Sequence, residues 1–353
     1  MKNNFGLYIH FPFCKRVCFY CHFTKQKFDI ELANKYINFL IKELKLKGDK
    51  SLTIDTVYFG GGSPGLINNT DIVRIIKTIS DNFNLDSKSE ITIEVNPEDA
   101  DYDKLFFLKS VGFNRLSVGT QSFEKKDLAY LKRFHSVEHS LLVLKQAQQA
   151  GFTNINADFI IGLPTQTRAT LIRGFKKVKE LNISHISVYI LEGVKKENEK
   201  ENSIDEYLYF QSEEILNALD YRRYEISNYS LANFESVHNN KYWENKEYIA
   251  VGLSASGYEN RVDYKNTSNL KEYFSILKSN KLPIKEKQKI DTIKRVIITG
   301  LRTSKGVDCK YFIKYKNQLG LLIKEKILIK QGSNIKVSPK KTLLLNEILT
   351  YFT

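Results

Sequence analysis

At 353 residues, with 42% hydrophobic and 27% charged side chains, the chain has an ordinary globular composition. It is long enough for about two domains and a core without disulfides, which excludes disorder as its main description. No apolar run reaches the ~18 residues of a membrane span, and Met1 to Phe11 lacks the cationic-then-apolar pattern of a secretion leader, so a cytoplasmic protein with reduced thiols is expected.

Residues 6–10 read as a short strand, and residues 29–47 as a helix with an apolar stripe at Leu32, Tyr36, Phe39, Leu40 and Leu44. A strand at 53–59 runs into Gly60-Gly61-Gly62, and Asn69-Thr70-Asp71 opens the next helix. Strands at 90–96, 114–119, 154–161 and 185–191 then alternate with helices at 101–111, 137–150 and 167–181. Repeated strand–helix units predict a parallel sheet with crossover helices, and six in succession favour a full or partial barrel over an open nucleotide-binding half.

The strands alternate in polarity. Ile91, Ile93 and Val95 share one face, and Thr92, Glu94 and Asn96 the other; Leu116 and Val118 oppose Ser117 and Gly119; Ile155, Ala157, Phe159 and Ile161 oppose Asn156 and Asp158. A barrel strand has one face under helices and one inside, so the lumen is expected to be polar and suited to holding a ligand.

Residues 192–202 form a charged stretch with no apolar anchor, read as a mobile link or lid, and a helix resumes at 207–219. The pattern changes after Tyr229. Strands at 326–330 and 335–338 and a helix at 341–352 close the chain. The expected fold is α/β, a partial (β/α)6-type barrel over residues 1–225 followed by a smaller α+β, winged-helix-like module over residues 226–353.

The net charge of +14 is concentrated at the end: residues 270–353 hold 19 Lys and Arg against 6 Asp and Glu, while residues 1–269 hold 35 against 34. Such a tail suits nucleic acid, a membrane surface or an acidic partner, or is a solvated lysine-rich surface.

Three of the four cysteines, Cys14, Cys18 and Cys21, fall in a C-x3-C-x2-C pattern. Three thiolates on one loop can hold three corners of a 4Fe-4S cluster, leaving one iron open to a chelating small molecule. Zinc is the rival metal, with His22 as a strained fourth ligand. Cys18, Cys21 and His22 also match the c-type haem attachment string, whose chemistry requires export. Gly60, Gly61 and Gly62 end a strand where barrel active sites form and allow backbone contact with a ligand, although a lone glycine run is equally a turn. Cys309 reads as a small buried hydrophobe, His135 and His139 as part of an amphipathic surface helix, His10 and His185 as structural, and Tyr242, Trp243 and Tyr248 as core aromatics.

The cysteine loop resembles that of radical S-adenosylmethionine (SAM) enzymes. Six ordered motifs resemble one branch across essentially the whole chain: Tyr8-Ile-His-Phe-Pro-Phe-Cys14, Gly60-Gly-Gly-Ser-Pro64, Glu94-Val-Asn-Pro97, Asn114-Arg-Leu-Ser-Val-Gly-Thr-Gln-Ser-Phe123, Asp158-Phe-Ile-Ile-Gly-Leu-Pro164 and His238-Asn-Asn-Lys-Tyr-Trp243. This branch is the HemN/HemW group of oxygen-independent coproporphyrinogen III oxidases and haem chaperones. The resemblance implies a radical SAM barrel, cluster ligands Cys14, Cys18 and Cys21, and SAM contacts at Tyr8, Tyr20, Gly61, Gly62, Ser63, Glu94, Gln121, Arg133 and Asp158.

Two features place the chain nearer the chaperones. Phe23 stands where the oxidases carry a further cysteine, and few residues precede the cluster loop. A chaperone reading implies haem as cargo, His238 as a candidate haem ligand, haem-accepting respiratory apoproteins as partners, homodimer formation, no nucleic acid, and at most peripheral membrane contact. The alternatives are radical decarboxylation of coproporphyrinogen III, with SAM cleavage, and nucleic-acid binding by the basic end. The chain departs from the chaperone pattern at His22 (usually Asp), at Ala255-Ser256 (usually Ala-His), and in the short segment after Leu191, which lacks the usual Pro-Gly.

Overall fold

The computed structural model describes residues 4–192 and 199–352, without the side chains of 199–203. The charged stretch at 192–202 therefore lies largely outside the described residues.

Strand–helix alternation appears as β1 (Asn4–Phe11), α1 (Ile30–Lys47), β2 (Asp49–Gly61), α2 (Asn69–Asn82), β3 (Phe83–Val95), α3 (Tyr102–Ser110), β4 (Arg115–Gln121), α4 (Lys125–Tyr130), α5 (Val137–Gln149), β5 (Asn154–Ile161), α6 (Arg168–Glu180), β6 (His185–Ile190) and α7 (Glu199–Ala218). Caps set the helix starts: Asp29, Asn68, Asp101, Ser136 and Thr167 each accept a backbone N–H of the first turn. Strands β1 to β6 pair in parallel and in sequential order. A doubly wound sheet reverses its order at a switch point, whereas a barrel wall runs in sequence.

The wall continues beyond these six strands and stays open. Next to β6 lie β8 (Asn228–Ser230) and β7 (Arg222–Arg223), both antiparallel. On the other edge, β9 (Tyr248–Val251) pairs in parallel with β1, followed by β10 (Ser256–Glu259), β11 (Val262–Asn266) and β12 (Ile284–Lys289). The hydrogen-bonded sheet thus crosses residue 225. No helix among the described residues is long and apolar enough to cross a membrane.

Leu7, Ile9, Ile93, Leu116, Val118, Ile155 and Ile186 pack under the helices, against Tyr36, Leu40, Ile75 and Leu144 among others. A second core gathers Ile297, Leu301, Phe312, Leu322, Ile335, Ile348 and Phe352, with Cys309 half-buried against it. Beyond α8 (Val237–Trp243) and α9 (Leu270–Lys278), it is built from α10 (Thr292–Gly300), α11 (Lys316–Lys324) and a three-stranded sheet of β13 (Val307–Asp308), β15 (Asn334–Val337) and β14 (Leu328–Gln331), a winged-helix-like layout. The helix expected at 341–352 is instead a 3-10 segment, Pro339–Leu344, followed by α12 (Leu345–Thr350).

Fully buried Glu43 on α1 ties distant segments together. Its carboxylate accepts from the Gly252 N–H at 2.9 Å, Asn266 Nδ2 at 2.7 Å and the Tyr273 hydroxyl at 2.7 Å. The neighbouring Leu253 N–H donates to the Tyr36 hydroxyl, which donates to the His10 carbonyl. Ser254 accepts from Thr24, and His10 Nε2 bonds the Thr24 carbonyl. This chain of bonds pins the segment that carries the cysteines.

Replacing Glu43 with Ala strands three buried donors and is expected to lower the unfolding free energy by about 3 kcal/mol, read by urea denaturation. Burial raises the Glu43 carboxyl from 4.5 to about 7. The folded state therefore favours the protonated form, and stability falls as pH rises from about 4.5 through about 7; Glu43→Gln removes that slope.

Candidate functional site

The cysteine loop sits at the C-terminal end of β1, held by a parallel pair of two-residue strands, Phe13–Cys14 and Gln26–Lys27. The Phe28 N–H donates to the Cys14 carbonyl at 2.8 Å, and the Cys21 N–H to the Cys18 carbonyl at 3.3 Å. All three cysteines line one cavity of about 680 Å3, within the size range of small-ligand pockets. The inward residues of the barrel line the same cavity: Tyr58, Glu94, Asn96, Arg115, Ser117, Gln121, Asn156, Asp158, Ser187 and Tyr189. The alternation read from sequence thus produces a polar lumen beneath the cysteines.

The glycines make this approach possible. Gly61 has φ 113°, and a Cβ there would meet His10 Cε1 at 2.6 Å; a Cβ on Gly62 would meet the Phe13 carbonyl at 2.6 Å. Gly61 N–H donates to Glu94 Oε2 at 3.2 Å, and the Tyr58 hydroxyl to Oε1 at 2.7 Å. Burial raises the Glu94 carboxyl to about 7, opposed by these hydrogen bonds. Burial likewise raises Asp158, whose oxygens accept from Asn156 at 2.8 Å and Ser117 at 3.3 Å. Gln121 ends β4 with φ 64°, a left-handed conformation that costs about 1 kcal/mol or more outside glycine and is tolerated where the surroundings fix it.

Arg133 links the lumen to the loop. It donates to Cys18 Sγ at 3.6 Å, the Tyr20 hydroxyl at 3.4 Å and the Asn96 side-chain carbonyl. Behind it stand Glu98, 3.7 Å away, and His135, whose Nδ1 is 2.9 Å from Glu98 Oε2. Burial alone would raise Glu98, but His135 and Arg133 hold it at about 2. His135 does not belong to a surface helix: α5 begins at Val137, and His135 is buried before it between Glu98 and the Thr120 carbonyl. His139 alone takes the helical place.

Of the residues named from sequence, Cys14, Cys18, Cys21, Tyr20, Gly61, Gly62, Glu94, Gln121, Arg133 and Asp158 face this cavity. Ser63 lies behind it, 1% exposed, donating to Asp99 and accepting from Asn96. Tyr8 is also set back, its hydroxyl 3.0 Å from His10 Nδ1 and its ring stacked on Tyr58. His238, on α8 (Val237–Trp243), is fully buried, with Nδ1 2.8 Å from the Thr56 hydroxyl and Nε2 2.8 Å from the Tyr242 hydroxyl. Burial lowers it to about 3, so the ring is neutral with both nitrogens engaged; bonding to iron would first break one of these contacts. Arg115, Tyr58 and Tyr189 were not singled out, although Arg115 shares the strand parity of Ser117 and Tyr58 that of Gly60.

The residues fit an iron–sulfur cluster. Burial first, and the neighbouring thiols of Cys21 and Cys18 next, push the Cys14 thiol up to about 12; bound iron would hold the three as thiolates. A cluster takes one thiolate per iron, and Cys14, Cys18 and Cys21 line one cavity.

Exchanging His238 for Ala leaves two buried hydroxyls unpaired and is expected to cost about 2–4 kcal/mol of stability. The check is chemical denaturation, with SAM affinity expected to stay unchanged because His238 does not line the cavity.

Residues 8–173 match the Radical SAM superfamily. The chain is 30% identical to the heme chaperone HemW of Lactococcus lactis subsp. lactis (strain IL1403), over 98% of this chain and 96% of that protein. It is also 30% identical to the heme chaperone HemW of Bacillus subtilis (strain 168), over 98% of each. Coproporphyrinogen III oxidase (HemN) from Escherichia coli, a radical SAM enzyme, superposes with a TM-score of 0.87 at 24% identity, covering 99% of this chain and 90% of that one, and so shares the fold. A cysteine loop above a polar, sequentially wound barrel, with near-full-length similarity to these relatives, places the chain in the HemW family of haem chaperones within the radical SAM superfamily.

Proposed function

We propose that the protein is a haem carrier that binds a 4Fe-4S cluster and SAM in the barrel and passes haem to apoproteins, respiratory ones among them. Cys14, Cys18 and Cys21 would hold the cluster. Glu94 would accept from ribose hydroxyls or the ammonium of SAM, Arg133 would fork onto its carboxylate, and Gln121, Asp158, Tyr20, Gly61 and Gly62 would complete the cradle. Bound by Cys14, Cys18 and Cys21 and reduced, such a cluster would supply one-electron chemistry to SAM. Tyr8 and Ser63 would act from behind, through His10 and Tyr58 and through Asn96.

The observation that carries the haem reading is the mouth of this cavity. Phe23 and Phe134 stand there 64% and 61% exposed, and Arg16 stacks over the Phe134 ring at 4.8 Å. Lys25, Lys132 and Arg302 join them on the lining. Exposed aromatic faces beside cations suit a flat apolar ring carrying two propionates. The C-terminal module supplies Arg302, Thr342, Leu343, Leu345 and Asn346 to the same lining. We therefore assign the cluster and SAM to residues 1–225, and the second wall of the haem site to residues 226–353. His238 would ligate iron only after α8 releases it.

The test uses anaerobically reconstituted protein. Haem titrated by absorbance should bind saturably and move to an apo-globin on mixing. The double substitution Arg16→Gln and Lys132→Gln should weaken binding about tenfold, since each exposed charge contributes at most about 1 kcal/mol. Coproporphyrinogen III supplied with SAM and reductant should keep its carboxyl groups by mass spectrometry. Decarboxylation, or failure to bind haem, would overturn the reading.

A further inference from the structure

Arg115 opens β4 and is 2% exposed, yet it lines the cavity. Its Nε has no hydrogen-bond partner, and none of the ion pairs among the described residues includes it. Nearby acids offset the burial of this guanidinium through space and keep it charged, but its Nε–H is left without an acceptor, a cost that a bound acceptor would remove. The nearby acids are already engaged. Glu90 accepts from the Val237 N–H at 3.1 Å and the His238 N–H at 2.9 Å. Glu94 is held by Tyr58 and Gly61, and Asp158 by Asn156 and Ser117. They act on Arg115 through space without forming a bond to it.

Arg115 begins the strand that Gln121 ends, and six residues of strand span roughly 20 Å of backbone. Arg115 therefore enters the cavity from the N-terminal end of β4, whereas the cysteine loop follows the C-terminal end of β1.

We propose that the deep end of the lumen is a carboxylate subsite, in which a carboxylate arm of a ligand docks on the Arg115 guanidinium beside Ser117, Asn156 and Ser187. The planar fork of arginine matches a carboxylate through two parallel hydrogen bonds. A phosphate would match it too, but Glu94 and Asp158 line the same space, and a second negative charge there would be opposed by any ionised carboxylate, whereas a monoanion balances the single cation. The subsite does not depend on the haem reading: it stands on the lumen alone and would accept a small organic acid or one arm of a larger one.

The probe is sodium propionate, observed by ligand NMR and by thermal shift on the full chain, with propionamide and inorganic phosphate as comparators. Propionate should bind saturably and raise the melting temperature, and propionamide should not. Arg115→Gln should weaken propionate at least about tenfold, while Lys88→Gln, which removes an equal charge from an exposed site, should leave it unchanged. Should Arg115→Gln fail to fold, Arg115→Lys keeps the charge without the fork and should bind several-fold more weakly than wild type. Equal binding of propionamide, undiminished binding in a folded Arg115→Gln or Arg115→Lys variant, or tighter binding of phosphate would overturn the proposal.

Discussion

A barrel lumen lined by Glu94, Asp158, Arg115 and their polar neighbours loses stability wherever a buried polar group lacks a partner. Alternation along parallel strands puts these side chains inside, and the same alternation puts Ile93, Val118 and Ile155 under the helices. The sheet cannot have one face without the other. Much of the interior is then a hydrogen-bond problem, solved locally by the Tyr58–Glu94–Gly61 and Asn156–Asp158–Ser117 groups and by the His185 bonds to Asn156 and Tyr224. Within the lumen these groups leave the Arg115 Nε unpaired. Glu94 and Asp158 are held toward their neutral forms by burial and gain from a ligand that brings donors or positive charge.

The loop above the lumen depends on a second set of partners. Glu43, Tyr36, His10 and Thr24 form a relay from α1 through the turn after β9 to the segment following the cysteines. Arg133 closes the other side, fixed by Glu98 and aimed at Cys18. A loop of this length has little core of its own, so its shape is imposed by these contacts rather than by its sequence.

The barrel was legible because its signals are local. Period-two alternation, helix caps at Asp29, Asp101 and Thr167, and the glycine run all sit within a few residues of what they determine. The cavity-facing set followed from the same alternation together with the ordered motifs. What sequence missed depends on distance in the chain. His135 reads as one turn of a helix until Ser136 is seen to cap it and Glu98, 37 residues away, to claim its ring. His238 offers a ligand nitrogen on paper, but Thr56 is 182 residues earlier and closes Nδ1. Ser63 belongs to the glycine motif yet turns toward Asp99. The extent of the sheet was also hidden, because β9 joins β1 across more than two hundred residues of chain.

The cysteine loop and the polar lumen line one cavity, and a ligand held by both would couple them. The most direct measurement is electron paramagnetic resonance of the anaerobically reconstituted, reduced protein, with and without SAM. The account predicts a cluster signal that SAM alters in the wild type, a signal that SAM alters much less in Glu94→Gln, and no signal in Cys18→Ser. A SAM-insensitive wild-type signal, or an intact cluster in Cys18→Ser, would contradict it.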